Sequence, residues 1–117
     1  MNPLTQEWVQ KAEGDYAAAQ LLVQANAARH ADAVCFHAQQ CVEKYLKAWL
    51  QDAGMPFRKR HDLEELLAMA SQAMPSWSVW QPDLLVLTTH AVDFRYPGRT
   101  ASLPDAQFAV QVCERVR

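Results

Sequence analysis

One stretch leaves this chain few ways to fold: His37-Ala38-Gln39-Gln40-Cys41-Val42-Glu43-Lys44-Tyr45-Leu46-Lys47-Ala48-Trp49-Leu50. At a helical period of about 3.6 residues, Val34, Ala38, Cys41, Tyr45 and Ala48 share one face, and Val42, Leu46 and Trp49 widen it. A helix this apolar must be covered by others, so the stretch predicts the central helix of a bundle. His37, Gln40, Lys44, Lys47 and Gln51 form a second stripe at spacings of three and four, which predicts a polar, cationic face turned to solvent. Glu43 precedes Lys47 by four residues, the favourable order for an exposed ion pair.

The remaining elements follow from caps and breakers. Asn2-Pro3 opens a first helix, with Thr5 as a second capping residue. Trp8, Ala12, Tyr16, Ala19 and Val23 carry its stripe to about Asn26, with Gly14 tolerated inside it. The segment from Ala25 to His30 is a short turn, which makes helices one and two antiparallel neighbours. Asp52-Ala53-Gly54, followed by Pro56, stops the central helix with glycine in the left-handed position. Asp62 and Glu65 have capping-box spacing before a short helix with Leu63, Leu66, Leu67, Ala70 and Met74 on one face. Pro75-Ser76-Trp77-Ser78 reads as a linker, and Gln81-Pro82-Asp83 starts a helix with Leu84, Leu87, Ala91 and Phe94 inward. That helix must end by Tyr96, because Pro97 and Gly98 follow. Ser102-Leu103-Pro104-Asp105 opens the last helix, which turns Phe108, Val112 and Val116 inward. No strand alternation, internal repeat or low-complexity tract interrupts the pattern. The fold class is all-α, an up-and-down helical bundle of four long helices plus a short fifth, formed as one domain over residues 1–117.

Composition narrows the function. With 11 Lys+Arg against 13 Asp+Glu the formal net charge is -2, so bulk charge does not drive nucleic-acid binding and any such contact must be local. Half of the residues are apolar, enough for a core without disulfides or metal. No stretch approaches the roughly 18 apolar residues of a membrane span, and no apolar run follows a basic start, so the expectation is a soluble cytoplasmic protein without membrane contact. Cys35 and Cys41 point about 240° apart on one helix and Cys113 is remote, so all three read as buried hydrophobes. Without Cys-x-x-Cys or a His pair at four-residue spacing, no metal site and no cofactor is expected.

The one dense positive cluster is Arg58-Lys59-Arg60-His61. It is either a solvated loop or, feeding a helix N-terminus, an anion site, although Asp62, Glu64 and Glu65 already occupy that end. Arg95 is either a structural ion pair, with Asp93, Glu43 or another carboxylate, or a phosphate contact. Tyr96 either closes its helix or stacks on a base. Trp77 and Trp80 either cap the core or form a partner surface.

Three motifs in order, Gln39-Gln40-Cys41-Val42-Glu43-Lys44-Tyr45-Leu46-Lys47-Ala48, then His61-Asp62-Leu63 and then Arg95-Tyr96-Pro97, resemble the HEPN domain, named for higher eukaryotes and prokaryotes nucleotide-binding. The resemblance implies an all-helical bundle, commonly a homodimer. It also implies a possible minimal nucleotidyltransferase partner, since many prokaryotic members are encoded beside one, the pair resembling toxin–antitoxin modules in which the HEPN protein cuts RNA. On that basis Lys44, Lys47, Arg58, Arg60, His61, Arg95 and Tyr96 are the candidate nucleotide- or RNA-binding residues.

Catalysis is a separate matter. Family ribonucleases place a His after an Arg with four to six residues between them, late in the bundle. No arginine here has a His in that window; Arg29 and His37 miss by one, and His90 precedes Arg95 in reversed order, about 140° round a helix. Metal-free RNA cleavage needs a base near neutral pKa and a cation for the developing phosphorane charge, which leaves Arg95 with His61 or His90 as catalytic candidates. His61 reads equally as a helix-start residue and His90 as a helix-surface residue. Three functions therefore stand: a phosphate-binding partner of a nucleotidyltransferase, an active ribonuclease with a non-standard constellation, or a dimeric interaction module.

Overall fold

The computed structural model describes residues 2–57, 63–93, 97–98 and 100–117, apart from the side chains of 91–93. Helix α1, Pro3–Asn26, begins where the Asn2 side chain accepts the Thr5 N–H at 2.8 Å, and a tight turn leads into α2, Ala31–Asp52. Helix α3 spans Leu63–Ala73, a 3-10 helix spans Pro75–Trp80, and α4 (Gln81–Asp93) follows it directly. Helix α5, Leu103–Val116, has the full capping box: Ser102 accepts the Asp105 N–H, and Asp105 accepts the Ser102 N–H at 2.9 Å. Among the described residues there is no strand.

Helix α2 is the hub, packed against α1, α3, α4 and α5. Its neighbours approach closely because they present small side chains: α1 buries Ala12 and Ala19, and α5 buries Ala106 and Ala109. Leu46, Leu50, Leu63, Leu84 and Leu87, all but inaccessible, fill the space between, each worth about 1.5–3 kcal/mol of burial. The three cysteines are free and buried in this core, as expected of small hydrophobes. Burial, with the Asp105 and Asp32 charges behind it, pushes the Cys35 thiol up to about 12. Cys41 is pushed higher by its hydrogen bond with Cys113 and by burial.

Helix α2 ends in a Schellman motif, in which the Met55 N–H donates to Leu50 O at 2.9 Å and the Gly54 N–H to Gln51 O at 3.2 Å. Gly54 takes a φ of 71°, the left-handed conformation expected of it. The far end of the chain is tied in at Asp32, whose Oδ1 accepts the Ala101 N–H at 2.6 Å.

Among the described residues the all-α bundle has its five expected helices, of 24, 22, 11, 13 and 14 residues. One expectation needs correction. The supposed linker is the 3-10 helix, set by Pro75 in its first turn and by the Trp77 N–H donating to Met74 O at 3.0 Å.

Candidate functional site

The polar stripe of α2 faces solvent only in part. Gln40 and Lys47 from it are buried, together with Gln39 and Glu43. Lys47 Nζ lies 3.4 Å from Glu43 Oε2, with side-chain exposures of 6% and 1%. The ammonium also sits 5.2 Å from the Trp8 ring centroid and 6.0 Å from that of Phe57, in cation–π range of both. The pair read from sequence as an exposed ion pair is thus a core pair, because α1 and the segment after α2 close over it. Lys47, a candidate phosphate-binding residue, thus lies buried beside Glu43. Gln40 donates from Nε2 to Gln39 Oε1 at 2.8 Å, so the two buried amides are joined by one hydrogen bond.

Lys44 remains at the surface, but a carboxylate neutralises its charge. Its ammonium donates to Asp15 Oδ2, and His37 Nδ1 lies 2.9 Å from Asp15 Oδ1. A carboxylate only accepts, so this bond puts a proton on Nδ1. Asp15 is thereby fixed by two α2 residues seven positions, about two turns, apart. On the other flank of α2, the Tyr45 hydroxyl donates to Glu13 Oε1, and Arg117 Nε donates to the same carboxylate at 3.0 Å while its guanidinium covers the Tyr16 ring at 4.2 Å. The Arg117 hydrogen bond, and then that of Tyr45, hold Glu13 below the ordinary carboxylate range. Burial and the Glu13 bond push the Tyr45 phenol up.

His90, one of the catalytic candidates, has Nε2 4.0 Å from Asp105 Oδ1. The hydrogen bond from the Ser102 backbone keeps Asp105 below its ordinary value. Arg58, Arg60, His61, Arg95 and Tyr96 lie outside the described residues, as do Lys59, Asp62 and Phe94. Among the described residues no group of three His, Cys, Asp or Glu side chains could hold a metal ion.

Sequence reasoning missed the Asp15–His37–Lys44 cluster. Asp15 stands 22 residues from His37 and 29 from Lys44 on a different helix, so no local spacing announces it. It also left open what Trp77 and Trp80 do. Trp77 packs edge-on to Trp49 at 5.2 Å and stacks on Trp80 at 5.4 Å, and the three line a cleft of about 250 Å³ together with Thr5, Tyr45 and Asp52.

An all-α bundle wound about one buried helix is the class of protein this fold defines. The HEPN domain family profile matches residues 5–117, nearly the whole chain, and the chain belongs to that family. The crystal structure of an archaeal HEPN homologue superposes with a TM-score of 0.67, covering 96% of this chain and 90% of that one at 22% identity, a likeness of fold. Comparison with curated proteins finds no match. No described helix is long and apolar enough to cross a membrane.

Proposed function

We propose that the chain is the nucleotide- or RNA-phosphate-binding member of a cytoplasmic HEPN–nucleotidyltransferase pair of toxin–antitoxin type, and that it does not itself cut RNA. The observation that carries the reading is that carboxylates already hold the described candidates: Lys44 by Asp15, Lys47 by Glu43, and His90 opposite Asp105. A cation so engaged must break its own pair before it can meet phosphorane charge. Phosphate binding then falls to Arg58, Lys59, Arg60 and His61, with Arg95 and Tyr96.

The test is titration of a labelled single-stranded RNA at rising salt, followed by incubation of the same RNA with chelator. Affinity should fall steeply with salt, and Arg58→Ala with Arg60→Ala should flatten the slope by about 1.4. No cleavage products should accumulate. Cleavage by the wild type that Arg95→Ala abolishes would establish the ribonuclease reading instead.

One observation favours dimeric assembly alongside this role. Pro82, Leu85, Val86 and Thr89, at helical spacing, leave an exposed apolar strip on the face of α4 opposite its buried Leu84 and Leu87. Apolar strips of this kind mark protein contacts.

A further inference from the structure

The cleft at the open end of the bundle carries its own chemistry. One wall is indole: Trp49 from the last turns of α2 meets Trp77 at 67°, and Trp77 stacks on Trp80 at 26°. The floor includes Leu46, almost fully buried. Apolar walls of this kind hold flat rings through stacking and edge contacts. Its volume of about 250 Å³ falls below the roughly 300–1,000 Å³ of sites for drug-sized ligands, which suits one fused ring with a short arm.

Two polar features say what that ring must bear. Thr5 lines the cleft, is 3% exposed, and its Oγ1 has no hydrogen-bond partner. A buried hydroxyl left unpaired is costly, so a ligand N–H that reaches it gains more than one left in water. Asp52 stands exposed on the cleft at the last residue of α2, where the negative end of the helix dipole adds to its charge and no basic residue occupies the last turn. Among the described lining residues none is basic, and Arg117, just beyond the end of α5, is held by Glu13. The mouth is therefore negative while the interior is aromatic.

We propose that this cleft binds a planar aromatic amine, with the ring against the tryptophan wall, a ring N–H donating to Thr5 Oγ1 and the ammonium facing Asp52. The proposal does not depend on phosphate binding.

Isothermal titration calorimetry of the full chain with tryptamine tests it, beside 1-methyltryptamine, which lacks the ring N–H, and indole-3-acetate, which reverses the charge of the arm. Tryptamine should bind saturably at one per chain, with 1-methyltryptamine weaker by about fivefold, the value of one hydrogen bond, and indole-3-acetate weaker still. Asp52→Asn should weaken tryptamine and leave indole unchanged; Thr5→Val, which keeps the side-chain shape, should weaken both. Saturable binding with this ligand order supports the proposal even if a variant fails to fold, because the order is read on the wild type. No saturable binding of tryptamine, or equal binding of the three ligands, overturns it.

Discussion

At the scale of single residues, α2 sets two kinds of charge beside each other. Lys47 and Glu43 are both desolvated, so their attraction must offset a large burial cost, and the pair is worth little against a well-packed apolar alternative. Breaking one side is another matter. Lys47→Met should lower stability by about 3 kcal/mol, and adding Glu43→Gln should recover part of that loss, as read from urea unfolding of the four-member cycle. Glu13 behaves differently because it is only half-buried. Its folded pKa lies below the ordinary value of 4.5, so its contribution is present above that pH and lost as pH falls through the folded value. The Tyr45 phenol, raised above its ordinary 10.0, contributes below that pH and loses its contribution as pH rises through the folded value. Urea midpoints should therefore decline on both sides of the interval from about 4.5 to 10, and Glu13→Gln should soften both declines.

At the scale of elements, the helix ends were the most legible part of the sequence, since a cap is a local device. Asn2, Gly54 and Ser102 each act where their neighbours in sequence put them. Ser102→Ala should cost about 1 kcal/mol through loss of the N-cap, and Gly54→Ala about 1 kcal/mol through left-handed strain, with thermal unfolding as the measure of both. The faces were less legible than the ends. Periodicity marks the stripe containing Gln40, Lys44 and Lys47, but whether a stripe meets water depends on what closes over it, and Trp8 and Phe57 come from other parts of the chain. The 3-10 helix was hidden for a related reason: six residues carry too little period, and the stacking of Trp77 on Trp80 and against Trp49 sets its position.

At the scale of the whole molecule, the family and the bundle were readable from three short motifs, while the clustering of Asp15 with His37 and Lys44 was not, because it joins two helices far apart in sequence. The exposed strip of α4 bears on assembly. Sedimentation equilibrium should give twice the chain mass for the wild type, and Leu85→Asp with Val86→Asp should return the monomer with its helix content intact, because neither side chain belongs to the core. A monomeric wild type would count against that surface.

The bond from Ala101 to Asp32 has a kinetic consequence. It closes a loop of 69 residues, whereas α1 and α2 meet across a turn of a few residues. Loop-closure entropy grows as about (3/2)RT ln n, so the short connection is made first and the long one is worth making only after the intervening helices have docked. Asp32 thus acts as a late latch: removing its carboxylate should speed unfolding and leave the refolding rate nearly unchanged.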